Sequence, residues 1–265
     1  MKKLLFWVGL LFLFAACNSE QKKEVITVGA SPAPHAQILE FVKPYLEEMG
    51  YELDIIEFSD YVTPNLALDA GDVLANYFQH VPYMENFNAE RGTNLVAVFG
   101  VHFEPLGLYA GRTNSLEEMQ DNAIITIPDD PTNEARALNL LESLGLITLT
   151  PDLGLNAGIR DVIENPRGII LTPLSASILA QALPDADFAV INGNVALNGG
   201  VSDKKLEGAS EGVATEAATR FTNYVVARRG EENDPRITAL VNALNREEVR
   251  RFIYEQFDGI VVPTF

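Results

Sequence analysis

The chain has 265 residues, with 37 acidic against 19 basic side chains and a formal net charge of −18 at pH 7. Such a surface repels phosphate backbones and anionic headgroups, which argues against nucleic acid and other polyanions as partners. An anionic group is held on such a chain only where a specific arginine offsets the field.

The first sixteen residues read as a processing signal. Lys2 and Lys3 form a basic start, Leu4–Phe14 is almost wholly apolar, and Ala15 and Ala16 precede Cys17. The apolar run is shorter than the ~20 residues a bilayer span needs and has the layout of a secretory signal. Cys17 is the single cysteine, so it has no disulfide partner within the chain. A lone cysteine directly after "AA" resembles the lipobox of bacterial lipoproteins, whose thiol is acylated and becomes the new N-terminus. Phe14 departs from the aliphatic residue usual at its position. The alternative is a cleaved signal followed by a free thiol, a liability in an oxidising compartment. The expected layout is a signal peptide over 1–16 and a lipidated tether over 17–24. No second long hydrophobic stretch follows, so the body reads as soluble.

Residues 24–30 (EVITVGA) read as a buried strand. In 31–50, Ile38, Leu39, Val42, Tyr45 and Leu46 fall at helical spacing, and Gly50 closes the helix. A strand over 51–58, a short helix over 64–72 and a strand over 73–78 come next. The helix over 81–92 has Pro82 near its first turn. Residues 95–111 read as extended chain. Strand and helix keep alternating through 123–128, 131–145, 158–166, 168–174, 175–185 and 187–193. A strand over 222–229 and helices over 235–245 and 247–257 complete the chain. This alternation predicts an α/β fold with a parallel or mixed sheet covered by helices on both faces. The extended segment 95–111 and the late strand 222–229 look like crossings between two lobes; a sheet forming a single lobe is the alternative.

Three stretches carry candidate chemistry. In "PDDPTNEARAL" (128–138), Asp130 fits an N-cap with Pro131 at the first helical position. Asn133 lies in the first turn and Arg136 just beyond it. The helix start offers unpaired N–H groups, and the guanidinium suits one carboxylate through paired charge-assisted bonds. The plain alternative is an arginine solvated on the helix surface. In "NYFQHVPYM" (76–84), His80 and Tyr83 share a helical face. Tyr77 and Phe78 end the preceding strand on opposite faces. Strand end and helix start thus meet where ligands lodge in open α/β sheets; the bland reading is ordinary core. Asn192 follows the strand "FAVI" and Asn223 opens the strand "YVVA". Either is plain turn chemistry or an amide offering donor and acceptor to a zwitterion.

His35, His80 and His102 with Glu104 are candidate metal ligands, and His80 with Glu104 a candidate acid–base pair. No histidine-rich loop or i,i+4 histidine pair supports the first. The sequence also lacks G-x-S-x-G, a P-loop, G-x-G-x-x-G and a catalytic cysteine. The expectation is therefore no enzyme, no metal and no cofactor.

The lipobox-like start, residues 60–84, 127–147, 161–166, 188–196 and 222–229 together resemble the methionine-binding lipoprotein family (NlpA/MetQ type), the substrate-binding components of methionine ABC importers. "FQHxPY" and "DPTNxxRAL" are the most specific pieces. The resemblance implies a two-lobed periplasmic-binding-protein fold, type II-like, with the ligand cleft between lobes. Lobe I is expected over 25–104 and 222–265, and lobe II over 105–221. Tyr61, Phe78, His80 and Tyr83 would line the side-chain pocket. Arg136 would take the carboxylate, with Asn192 and Asn223 holding the polar end. Tyr77, Gly193 and Asn194 fall at positions that vary in the family. The implied partners are methionine, a methionine-containing dipeptide or another apolar amino acid, together with a membrane permease. The chain itself would be a monomer tethered to the cell envelope through lipid on Cys17, facing the periplasm or the exterior.

Overall fold

The computed structural model describes residues 23–213, 216–257 and 259–265; the expected signal, Cys17 and most of the tether lie outside the described residues. Strand β1 (Glu24–Ala30) leads through a wide turn at Pro32–Ala36 into α1 (Gln37–Glu48). Ile38, Leu39, Val42 and Leu46 of α1 are fully buried, each contributing roughly 1.5–3 kcal/mol by leaving water. There follow β2 (Tyr51–Glu57), α2 (Thr63–Ala70), β3 (Ala75–His80) and α3 (Val81–Arg91). Gly71 and Gly92 end the two helices in left-handed backbone, φ +83° and +70°, a conformation that glycine adopts without steric cost.

The central chain forms β4 (Leu95–Phe103), β5 (Gly107–Ala110), β6 (Ile124–Pro128) and α4 (Pro131–Ser143). A small hairpin pairs β7 (Thr148–Leu149) with β8 (Val162–Glu164). Next come β9 (Ile170–Leu174), α5 (Leu179–Ala182), β10 (Phe188–Ile191), α6 (Gly193–Asn198) and β11 (Lys205–Ser210). The chain finishes with α7 (Glu216–Arg220), β12 (Thr222–Arg228), α8 (Pro235–Leu244), α9 (Glu247–Phe257) and β13 (Val262–Pro263).

Two mixed sheets result, one per lobe. The first runs β13-β4-β12-β3-β1-β2 and the second β11-β5-β10-β6-β9. Each has its own core: Ile26, Val28, Leu39, Val225, Leu240 and Ile253 in the first, and Leu108, Ile125, Ile127, Leu138, Phe188 and Val190 in the second. The chain leaves the first sheet after Phe103 and returns to it with β12, which inserts antiparallel between β3 and β4. In that register Asn223 faces His80 on one side and His102 on the other. The carboxyl ends of β3 and β4 and the start of β12 therefore stand side by side, at the edge where the second lobe begins.

Several elements differ from the sequence expectation, among them the helices Gly193–Asn198 and Glu216–Arg220 and the strand Val262–Pro263, which it lacked. β3 starts later and reaches two residues further, to His80, because β12 pairs with it to that point. The polar segment 205–210 forms β11 without an alternating apolar pattern; its pairing with β5 supplies what local propensity does not.

Candidate functional site

The ends of β3, β4 and β12, the N-termini of α3 and α4, and the loop before α6 converge on one cleft. Its lining includes all seven residues expected from the sequence: Tyr61, Phe78, His80, Tyr83, Arg136, Asn192 and Asn223. Gln79, Glu104, Asn133 and Asn194 complete it. The cleft is narrow, with a cavity volume of about 20 Å³.

One end of the cleft is aromatic. Tyr61, Phe78 and Tyr83 form a trio with ring centroids 5.9, 6.0 and 6.1 Å apart, and Phe87 backs Tyr83. The Tyr83 hydroxyl donates to the Tyr61 carbonyl at 2.8 Å, fixing the loop that carries Tyr61. The Tyr61 hydroxyl donates across the lobes to Asn194 Oδ1 at 2.7 Å. Beyond this pair lies an open groove of about 400 Å³ that shares Tyr61 and Asn194 as wall.

The other end is polar. Pro131 opens α4, and Asp130 caps it, its Oδ1 accepting from the Asn133 backbone N–H at 3.0 Å. The cap presents Asn133 and Arg136 on one face, three residues apart. His80 caps α3 through Nδ1, which accepts from Tyr83 N at 3.2 Å. Its proton therefore sits on Nε2, which donates to Asn133 Oδ1 at 3.2 Å. Arg136 Nη1 and Asn192 Nδ2 donate to the same oxygen at 3.0 and 3.1 Å. Three N–H groups from three elements thus converge on one point. Asn192 Oδ1 is buried without a partner among the described residues.

Arg136 is only 4% exposed, so it is not the solvated surface arginine of the plain reading. Its guanidinium is also more committed than expected. Nε and Nη2 donate to the Glu211 carboxylate at 3.0 and 2.6 Å, Nη2 also reaches the Glu104 carbonyl at 3.3 Å, and Phe221 stacks 4.2 Å from it. Only the Nη1 edge is turned toward the cleft, so a paired grip on a ligand carboxylate is not available in this geometry. Glu211 is itself held, accepting from Leu106 N at 2.9 Å.

Glu104 stands in the segment between β4 and β5. Its Oε2 accepts from Asn194 N at 2.6 Å and its Oε1 from His102 Nε2 at 2.7 Å. His35 Nε2 lies 3.4 Å from the same oxygen and 3.1 Å from Asn223 Oδ1. His35 and His102, not His80, are thus the histidines that meet Glu104. Burial drives all three imidazoles down, His80 and His102 to about 3 and His35 to about 4, with Arg136 adding to the effect at His80. Burial raises Glu104, opposed by His35, the Asn194 N–H and Arg136.

Sequence reading missed Glu104, Asn133, Gln79 and Asn194 as cleft residues, and Glu211 behind Arg136. Asn133 was findable from its place in the first turn of α4. Glu104 carried no local signal beyond lying near histidines in number.

The model of the NlpA lipoprotein family matches residues 26–265. The methionine-binding lipoprotein MetQ of Bacillus subtilis is 35% identical over 277 residues, covering 99% of both chains. A nutrient-binding protein from Burkholderia cenocepacia, solved bound to methionine, superposes with a TM-score of 0.84 at 36% identity, covering 91% of this chain and 100% of that one. A periplasmic substrate-binding protein of an ABC transporter from Coxiella burnetii gives 0.83 at 36% identity, covering 90% and 100%. With such agreement along nearly the whole length, the chain belongs to the NlpA lipoprotein family.

Proposed function

We propose that this chain is the substrate-binding component of an ABC importer, that it closes on methionine between its two lobes, and that it delivers the amino acid to a membrane permease. Lobe I comprises 25–104 and 222–265, and lobe II 105–221. The protein acts as a monomer, tethered to the envelope by lipid on Cys17, and binds without turnover.

One observation carries this reading: a trio of rings, the Arg136 guanidinium and the Glu104 carboxyl group line a single cleft. A thioether is polarisable and apolar, and each contact of its sulfur with a ring contributes roughly 0.3–1.5 kcal/mol. Burying the side chain against Tyr61, Phe78 and Tyr83 adds ~1.5–3 kcal/mol. The ligand carboxylate takes Arg136 Nη1, His80 Nε2 and Asn192 Nδ2, the donors that now share the Asn133 oxygen. The charge-assisted bond from Arg136 contributes about 1.5–3 kcal/mol. The ammonium group takes the Glu104 carboxylate, with Asn223 beside it. Part of the total offsets lobe closure and lost ligand motion.

Calorimetry on ligand-free, detergent-solubilised full chain tests this. Heat on adding L- or D-methionine, with the ligand recovered intact after long incubation, is the expected result. Silence for methionine, for methionine-containing dipeptides and for other apolar amino acids refutes it.

A further inference from the structure

Behind the cleft lies a group of side chains that are not part of its lining: Tyr77, His35 and His102, each 0% exposed. Their rings lock together, with centroids 4.7 Å apart for His35–Tyr77, 4.9 Å for His35–His102 and 5.4 Å for Tyr77–His102. Tyr77 sits on the face of β3 opposite Phe78, so one strand end supplies a ring to the pocket and another to this group. We propose that His102 and His35 are positioning residues: they hold Glu104 and Asn223 in their binding orientation, and they do so as neutral donors, so that the carboxylate keeps its charge for an α-amino group. This rests on the amino-acid reading above and names the groups that make it selective for an amine.

Hydrogen-bond accounting fixes the roles. His102 Nδ1 contacts the Tyr77 hydroxyl, and Nε2 contacts Glu104 Oε1 at 2.7 Å. The carboxylate only accepts, so Nε2 carries the proton and the tyrosine donates to Nδ1. A second proton on His102 would leave the buried hydroxyl hydrogen without an acceptor. His35 Nε2 faces two oxygens, Asn223 Oδ1 at 3.1 Å and Glu104 Oε1 at 3.4 Å, so it too is a donor. His35 Nδ1 has no partner among the described residues, and a proton there would be stranded in the core at a cost comparable to a lost hydrogen bond. Both rings are therefore neutral, which agrees with their depressed pKa values.

The alternative use of three such groups is a metal ion, since one donor atom from each of His35, His102 and Glu104 lies within 4.8 Å of the others. The 2.7 Å separation of His102 Nε2 and Glu104 Oε1 is that of an N–H···O bond, while the Tyr77 hydroxyl engages His102 Nδ1 and Asn223 Oδ1 engages His35 Nε2. Hydrogen bonding among the three groups and their neighbours therefore accounts for the cluster.

Neutral donors orient a carboxylate without cancelling it. A protonated histidine in contact with Glu104 would compete with the ligand's ammonium for the same charge. Because His35 also donates to Asn223, the start of β12 and the end of β4 are set by one ring, and the two cleft residues move together.

The test compares L-methionine with its desamino analogue, binding each to the full chain in detergent by calorimetry. The wild-type protein should bind methionine and discriminate against the analogue. His102→Met, similar in bulk but without the donor, should weaken methionine by about 10- to 100-fold and the analogue by less than about 3-fold. His102→Gln, which restores an N–H toward Glu104, should recover most of the loss. Equal weakening of both ligands, unchanged methionine affinity in folded His102→Met, or no recovery in His102→Gln overturns the proposal. If thermal unfolding shows His102→Met to be unfolded, His35→Met must give the same split, and equal weakening there is equally fatal. Failure of the wild type to bind methionine shows up before any variant is compared, and refutes the amino-acid reading itself.

Discussion

Three histidines buried neutral make the folded state acid-sensitive in a calculable window. His80 and His102 are held near 3 and His35 near 4, against an ordinary value of 6.5. Between these limits the unfolded chain binds protons that the folded chain does not, so stability rises with pH there and is lost as pH falls from about 6.5 toward the folded values. At 1.36 kcal/mol per unit, each histidine removes about 2 kcal/mol at pH 5, or ~6 kcal/mol for all three. Burial raises Glu104 and Asp130 from their ordinary values, so each protonates at a higher pH folded than unfolded and works in the opposite sense. The histidine contribution alone is a large share of the ~5–15 kcal/mol typical of a folded protein. Urea unfolding of the ligand-free protein at pH 7.5 and 5 measures it. His80→Gln should remove about one third of the histidine contribution and so flatten the dependence, because it removes one of three similar groups. Stability equal to within about 1 kcal/mol at the two pH values, or an undiminished slope in His80→Gln, would show that these rings are not buried neutral.

Three further substitutions probe the cleft. Arg136→Ala should weaken methionine by more than about 100-fold, since it removes the cation and leaves the ligand's acid end underpaired; calorimetry at millimolar ligand decides. Glu211→Ala should cost about 3–5 kcal/mol of stability, because it strands the buried guanidinium, and a denaturant midpoint unchanged from wild type would count against that pairing. Tyr61→Phe keeps the ring but deletes the 2.7 Å bond to Asn194. It should raise the methionine dissociation rate by about 3- to 10-fold, as loss of a net 0.5–1.5 kcal/mol contact implies, with association little changed in stopped-flow traces.

The parts of the site that depend on local chain chemistry were legible in the sequence. Asp130, Pro131 and Arg136 declare a capped helix start with a cation one turn in, and the structure has that cap and places Arg136 in the cleft. His80 and Tyr83 share a helix start, and Phe78 and Tyr77 diverge because strand side chains alternate. What was illegible depends on pairing between distant segments. Glu104 matters because β12 inserts between β3 and β4 and draws His102 and Asn223 together, and nothing in "HFEP" announces that. Glu211 meets Arg136 across 75 residues from the end of a polar strand with no periodicity. The three histidines look alike in sequence, yet the fold sends His80 to Asn133 and the other two to Glu104.

The charges around the cleft favour a zwitterion over a simple acid or amine. Arg136 is already matched by Glu211, and Glu104 is surrounded by neutral donors. A simple carboxylic acid would bring another anion beside Glu104 and Glu211 with no cation added, and a buried charge without a partner costs several kcal/mol. A simple amine would satisfy Glu104 but leave Arg136 Nη1, His80 Nε2 and Asn192 Nδ2 with only the Asn133 oxygen to share. An α-amino acid adds no net charge and gives each end its complement, so the polar half of the cleft selects the backbone and the three rings are left to select the side chain. An amide of methionine keeps the ammonium and the thioether but loses the acid. If the polar half works as described, that amide should bind about 10- to 100-fold more weakly than methionine in wild-type protein, and equal affinity for the two would show that Arg136 does not read the acid end.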